Sequence, residues 1–215
     1  VRIGIDVGGT FTDAVCVNSE TFELIGYLKI PTTHGAKEGV SKGIVEACRK
    51  LLEKYHISPD DVSFIAHGTT QATNALLEGD VEDVGIVCVG EGAGSYKANM
   101  DTTIGDIELS PGKYLHTEHT YLDIRSGQYD QNAERTAEEW RQKGIHAVVA
   151  ASSFSVDDPG KELSVMERMT QNGLLATGTH DVSKLYGLRV RTRTAAINAS
   201  ILHKMIDTAT MTEES

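Results

Sequence analysis

The stretch that decides the fold lies at the start of the chain, where residues 3–13 read IGIDVGGTFTD. Apolar residues at positions 3, 5 and 7 alternate with Gly4 and Asp6, and this alternation is the period of a β-strand. A glycine-rich turn follows at 8–10, and a second apolar stretch at 14–17 comes directly after it. Two strands around a Gly-Gly turn predict a β-hairpin at the head of the fold.

The turn between those strands has the composition of an anion-binding loop. Gly8 and Gly9 carry no Cβ, so the backbone can approach a ligand closely there. The amides of these glycines and of Thr10 can form a nest around a phosphate, and the Thr10 hydroxyl adds a donor. Asp6 can hold Mg²⁺ through water, because Mg²⁺ dehydrates reluctantly. A plain hairpin turn explains the same residues, so both interpretations stay open at this point.

A second segment with polar residues reads AHGTTQATNALLEG at 66–79. The pattern predicts that a strand ends and a helix begins here, and helix N-termini present free amides and a positive dipole end. The candidate residues for a substrate or a phosphate at this junction are His67, Gly68, Thr69, Thr70 and Asn74. Ordinary helix capping by a threonine explains them as well, and His67 is as easily a histidine bonded to a nearby carbonyl.

The rest of the chain predicts a mixed α/β protein. Apolar residues at helical spacing indicate an amphipathic helix over about 36–55, and a strand–helix–strand pattern returns from about 145 to 177. We expect four segments: a phosphate-binding lobe at 1–90, a loop-rich insertion at 91–130, a second α/β unit at 131–190 and a connecting helix at 191–215.

The last predicted helix, over about 193–210, is apolar around much of its circumference. Such a helix is usually buried on two sides. We therefore expect a covering element outside this sequence, either a missing C-terminal part or a second subunit. An uncovered apolar helix also predicts self-association of the chain into a homo-oligomer.

The composition argues against several function classes. Acidic residues outnumber basic ones 31 to 20, and the net charge of −11 disfavours nucleic acid or an anionic membrane as the partner. No apolar run reaches the roughly 18 residues of a membrane span, and the chain does not open on a signal peptide. The 3 cysteines lie far apart, which is typical of buried thiols in a reducing compartment. We expect a cytoplasmic protein.

Three stretches together resemble the hydantoinase/5-oxoprolinase family. Residues 3–13 are similar to the family's first phosphate motif, and GTTQATNALL at 68–77 is similar to its second hallmark. DVS at 181–183, followed by RTRTAAINA at 191–199, resembles the stretch that enters the family's long connecting helix. One stretch departs from the pattern: residues 87–94 read VCVGEGAG where the hydantoinases usually carry Thr-Thr-x-Gly-Phe-x-Asp. The substrate class therefore stays open.

The resemblance implies the N-terminal lobe of an actin-like ATPase, which has a ribonuclease H-like fold. It also implies ATP and Mg²⁺ as cofactors and the phosphorylation of a carbonyl oxygen on a small-molecule substrate. In oxoprolinases and N-methylhydantoinases this reaction opens a lactam or a cyclic imide. In the related acetone and acetophenone carboxylases it leads to the carboxylation of a ketone. A non-catalytic nucleotide-binding or assembly subunit of the same fold is the third possibility.

The resemblance also implies roles for individual residues. Asp6 and Asp13 would be the catalytic carboxylates, with Asp6 holding Mg²⁺. The implied nucleotide-binding residues are Gly8, Gly9, Thr10 and Thr12. Members of this family are considerably longer than this chain, and their second phosphate motif lies further downstream. We therefore expect that the 215-residue chain alone does not turn over.

Overall fold

A computed structural model of the chain describes residues 1–8, 10–32, 39–69, 71–92 and 95–213. The strands are β1 Arg2–Val7, β2 Phe11–Val17, β3 Leu24–Pro31, β4 Phe64–Thr69, β5 Val84–Gly90, β6 Ile107–Ser110, β7 Lys113–Leu115, β8 Thr117–Asp123, β9 Ala147–Ala151 and β10 Leu175–Gly178. The helices are α1 Gly39–Tyr55, α2 Gln71–Glu78, α3 Ser95–Thr102, α4 Tyr129–Gln142, α5 Gly160–Gln171, α6 Thr179–Val182 and α7 Leu188–Glu213. Contacts divide the chain into two compact units: unit 1 comprises Val1–Ala75 with the end of α7 from Lys204, and unit 2 comprises Leu76–His203.

Unit 1 is built on a mixed sheet with the strand order β3-β2-β1-β4. β1 and β2 pair antiparallel, as do β2 and β3, whereas β4 joins β1 in parallel. The inward residues of β1, among them Ile3 and Ile5, pack with Ile44 and Leu51 of α1 in one core. The predicted hairpin at the head of the fold is confirmed.

Unit 2 is built on a parallel sheet with the order β10-β9-β5-β8. All residues of β5 are buried, which is typical of a parallel strand covered on both faces. One face packs against α4 and α5 through Trp140 and Val165. The other face packs against the β6–β7 hairpin, through Ile107, and against alanines of α7. The expected mixed α/β fold with flanking helices and a second α/β unit is confirmed.

Several elements differ from the prediction. The strand at 84–90, which the sequence groups with the first lobe, pairs into the sheet of unit 2. A helix, α3, lies inside the expected loop-rich insertion. Its buried residues are Ser95, Ala98 and Thr102, of which only Ala98 is apolar, so the sequence shows no apolar residues at helical spacing there. Helix α4 begins at Tyr129, just before the expected start of the second α/β unit at residue 131.

Helix α7 is longer than predicted, and within this chain it is buried along one side. Its most buried residues include Thr192, Ala195, Ala196 and Ala199, which recur at intervals of three and four and form one stripe. On the remaining circumference Val190 is 71% exposed. The described part of the helix is therefore covered along one side and not along two. In the part of the chain that the structure describes, no helix is both long and apolar enough to cross a bilayer.

Candidate functional site

The two polar segments of unit 1 meet because β1 lies between β2 and β4 in the sheet. Asp6 of β1 is directly opposite Asp13 of β2 in the antiparallel pair. The same Asp6 is in register with Gly68 of β4 in the parallel pair. Residues in register across neighbouring strands share one face of a sheet. Asp13, Asp6 and Gly68 therefore form one row across three strands, and Asp6 is exposed to solvent.

Two glycines shape this row and the turn beside it. A Cβ at Gly68 would lie 4.0 Å from Oδ1 of Asp6, so the glycine keeps the space beside the carboxylate open. A Cβ at Gly8 would lie 3.0 Å from the carbonyl oxygen of Phe11, so a side chain there would crowd the turn. The Gly8 amide donates to that same carbonyl at 2.9 Å, which uses this donor inside the hairpin. An anion nest at the turn would depend on other amides.

The remaining residues of the turn have distinct surroundings. Thr10 is exposed, and its carbonyl accepts the amide of Thr32 at 2.9 Å. Thr12 is fully buried, and its hydroxyl lies 3.1 Å from the hydroxyl of Thr32. The Thr32 hydroxyl in turn donates to the carbonyl of Gly8 at 2.8 Å. Thr12 thus supports the turn from the core side and does not lie in the row of Asp6, in contrast to the expected phosphate contact. Gly9 lies outside the described residues.

The electrostatics of the row favour a cation. Like charges directly opposite each other on paired strands are destabilising, and Asp6 and Asp13 occupy such positions. The Lys29 ammonium pairs with Asp13 at 3.2 Å and lies 4.9 Å from the centroid of the Phe11 ring. Mg²⁺ commonly uses one or two carboxylates and completes its sphere with water and phosphate oxygens. The two carboxylates of the row fit that donor set. Among the described residues no cluster of three or more potential metal ligands occurs, so water and phosphate oxygens would have to supply the other ligands.

The junction residues are not all on the side of the carboxylates. His67 is in register with Ile5, so it belongs to the face opposite Asp6. Thr69 ends β4 in register with Val7, and Thr70 lies outside the described residues. Asn74 is half-buried on α2, the helix that begins at Gln71 directly after this junction.

Sequence reasoning missed Lys29 and Thr32. Their partners depend on how β2 and β3 align, and no local pattern encodes that alignment. The β2–β3 register places Lys29 opposite Asp13.

A second polar cluster, in unit 2, was also missed. The Glu162 carboxylate is fully buried at the start of α5. It accepts hydrogen bonds from the amide of Ser152, the hydroxyl of Thr179, and both the amide and Nδ1 of His180, at 2.6 to 2.9 Å. Glu162 thereby ties the ends of β9 and β10 to α5. The sequence does not single out Glu162, because a Glu in the first turn of a helix is usually solvent-exposed.

Known proteins are similar to this chain in sequence and in fold. Residues 2–173 match the family model described as "Hydantoinase/oxoprolinase N-terminal region". The chain is 25% identical over 219 residues to the caprolactamase subunit alpha of Pseudomonas jessenii, covering 92% of this chain and 31% of that protein.

Two solved structures share the fold at lower identity. The nucleotide-free structure of an acetone carboxylase superposes with a TM-score of 0.71 at 14% identity, covering 99% of this chain and 34% of the other. The ATP-dependent caprolactamase from Pseudomonas jessenii superposes with a TM-score of 0.63 at 23% identity, covering 95% and 32%. The chain thus spans about a third of the length of these relatives.

Proposed function

The chain belongs to the hydantoinase/oxoprolinase N-terminal family, and on that premise we propose that it is part of an ATP-dependent enzyme that opens a lactam or a cyclic imide ring. The reaction would begin with phosphorylation of the ring's carbonyl oxygen. One observation carries the proposal: the sheet places Asp13, Asp6 and Gly68 in one row, so both polar segments of the sequence contribute to one face. The caprolactamase relative, whose name denotes action on a lactam, favours an amide substrate over a ketone.

In the proposed reaction the protein's part is positioning and charge neutralisation. Asp6 and Asp13 would hold Mg²⁺ through water, and the ion would neutralise the charge that develops on the phosphates of ATP. The exposed Thr10 would donate its hydroxyl to a phosphate oxygen. Gly68 leaves space beside Asp6 for the metal's water shell or a phosphate oxygen.

The test is ATP hydrolysis by the full-length protein, purified from its own source with any subunits that copurify. Hydrolysis is measured in Mg²⁺ with a lactam, with a hydantoin, and with a ketone plus bicarbonate. Stimulation by the lactam or the hydantoin supports the proposal. Stimulation by the ketone alone overturns it in favour of a carboxylase. No stimulation by any of them overturns it in favour of a non-catalytic subunit.

Substitution of the carboxylate row makes the test specific. Asp6→Asn should reduce the stimulated ATPase rate about 10²-fold or more, the scale of losing one well-placed electrostatic contact to a transition state. Asp60→Asn is the matched control, because Asp60 is an exposed acid of the same unit on a different surface segment. Equal rates for the two variants would show that Asp6 does not belong to the site.

A further inference from the structure

Thr32, the residue directly after β3, holds the turn beside Asp6 at two points. β3 runs antiparallel to β2, and β2 runs antiparallel to β1, so the end of β3 lies at the same edge of the sheet as the end of β1. The Thr32 amide donates to the carbonyl of Thr10 at 2.9 Å. The Thr32 hydroxyl donates to the carbonyl of Gly8 at 2.8 Å, a residue 24 positions earlier in the sequence. One residue thus bonds to both sides of the turn.

The hydroxyl of Thr32 is the middle member of a hydrogen-bond chain. A threonine hydroxyl has a single hydrogen to donate. Since the hydrogen of Thr32 goes to the Gly8 carbonyl, Thr12 is the donor in the 3.1 Å bond between the Thr12 and Thr32 hydroxyls. Thr12 is fully buried, so the chain runs from the core of unit 1 through Thr32 to the turn. Removal of the Thr32 hydroxyl would break both of its bonds at once.

The direction of these carbonyls matters because the two ends of a peptide group attract opposite charges. A phosphate binds to backbone N–H groups, whereas a carbonyl oxygen carries a partial negative charge that repels it. In a trans peptide the carbonyl and the following amide point in opposite directions. The Thr10 carbonyl points at Thr32, so the following amide, that of Phe11, points away from β3. Thr32 therefore holds the carbonyl oxygens of Gly8 and Thr10 on its own side of the turn.

From these bonds we propose that Thr32 is a positioning residue for ATP binding at the turn beside Asp6. Its hydroxyl keeps the backbone on both sides of Thr10 in the conformation that accepts the phosphates. Thr32 acts through Gly8 and Thr10, and it needs no contact of its own with the nucleotide. The inference rests on the proposed function in one respect, because it takes this turn to be where the phosphates of ATP bind.

The experiment is a calorimetric titration of the full-length protein with Mg²⁺-ATP. Thr32→Val keeps the approximate shape of the side chain and removes the hydroxyl, so we expect the Kd to rise about tenfold or more with an unchanged stoichiometry. Thr32→Ser keeps the hydroxyl and should bind Mg²⁺-ATP like the unmodified protein. A merely structural defect would lower the fraction of competent protein, which lowers the stoichiometry of binding and leaves the Kd as it is.

Thr21→Val is the matched control. Thr21 lies in the turn between β2 and β3, at the opposite end of β2, where its hydroxyl donates to Glu23 at 3.2 Å. This variant should bind Mg²⁺-ATP like the unmodified protein. Thr32→Ala is a second variant without the hydroxyl, and it replaces Thr32→Val if the melting temperature shows that the valine variant does not fold.

The outcomes separate this inference from the proposed function. The inference is overturned if the variant without the hydroxyl binds Mg²⁺-ATP as tightly as Thr21→Val, or if Thr32→Ser binds as weakly as that variant. If the unmodified full-length protein does not bind Mg²⁺-ATP, the inference and the proposed function both fail. If it binds Mg²⁺-ATP and Thr32 behaves as expected, but neither a lactam nor a hydantoin stimulates hydrolysis, the proposed function alone fails.

Discussion

A glycine inside a strand can be a packing requirement, and Gly85 of β5 is such a case. A Cβ at this position would lie 2.5 Å from the ring of Trp140, a nearly fully buried side chain on α4. We expect Gly85→Ala to destabilise the protein by about 1–3 kcal/mol, the usual cost of overpacking a core. Chemical denaturation followed by tryptophan fluorescence measures it, since this chain has 1 Trp.

The matched control for that change is Gly127→Ala. Among the residues that the structure describes, no atom lies within 4 Å of a Cβ at Gly127, and its φ is not in the left-handed region. Its unfolding free energy should change by less than about 0.5 kcal/mol. Equal destabilisation by the two variants would show that loss of glycine's freedom, and not contact with Trp140, sets the cost.

The carboxylate of Glu162 holds four donors, and an amide in its place cannot. Gln offers one acceptor oxygen, and its NH₂ group would face N–H donors, so buried donors from Ser152, Thr179 or His180 would lose their partner. We expect Glu162→Gln to lower the free energy of unfolding by about 2 kcal/mol or more, at about 1–3 kcal/mol for each unsatisfied group. Urea denaturation monitored by circular dichroism gives the value.

Glu167→Gln is the control for this substitution, because Glu167 is exposed on the same helix and accepts a surface hydrogen bond from Gln171 at 3.1 Å. Its stability should remain within about 0.5 kcal/mol of the unmodified chain. If Glu162→Gln were equally mild, the buried cluster would not be what ties α5 to the ends of β9 and β10.

At the scale of elements, β8 brings two histidines into opposite environments. His116, just before the strand, bonds through Nδ1 to Oδ2 of Asp106 at 2.8 Å, and this hydrogen bond raises the pKa of His116. His119, inside the strand, contacts Thr102, and burial lowers the pKa of His119. NMR titration of the histidine rings should therefore give a midpoint above 6.5 for His116 and below 6.5 for His119.

The signs of the two stability effects follow by linkage. The stabilisation from the raised pKa of His116 is fully present below the pKa of this histidine in the unfolded chain. It is lost as the pH rises through the higher pKa of His116 in the folded chain. For His119 the unfolded chain binds more protons, so stability rises as the pH increases from the lowered folded pKa to the unfolded one. Asp106→Asn should bring the His116 midpoint back toward 6.5 and leave that of His119 unchanged. A shift of both midpoints would mean that Asp106 acts on the whole strand.

Elements with a local pattern could be predicted from the sequence, and their partners could not. The β1–β2 hairpin follows from a two-residue period around a Gly-Gly turn. β5 is an apolar run without a period, so nothing local says which sheet it joins. The placement of Gly68 beside Asp6 depends on the pairing of β1 with β4, strands about 60 residues apart. The hairpin register also decides that Thr12 points into the core while its neighbour Asp13 does not.

At the scale of the whole molecule, we expect the proposed activity to depend on more than one phosphate-binding face. The chain spans about a third of the length of the relatives it matches. Its carboxylate row offers two carboxylates on one face of the unit 1 sheet. In the actin-like fold that the sequence resembles, nucleotides are held between two lobes, and transition-state stabilisation depends on groups that are fixed on both sides. If the carboxylate row is one such face, as proposed, this chain would have only part of that arrangement.

We therefore expect the 215-residue chain alone to bind Mg²⁺-ATP weakly and to hydrolyse it no faster than background. Loss of one well-placed donor already costs roughly 10²–10³ in rate, so loss of a whole opposing face should cost several orders of magnitude. Calorimetric titration with Mg²⁺-ATP, and phosphate release with and without a lactam, measure both quantities. The full-length protein, assayed in parallel, is the control that the assay detects turnover. Micromolar affinity together with turnover in the 215-residue chain would contradict the expectation. Sedimentation velocity would then show whether two copies of the chain complete one site.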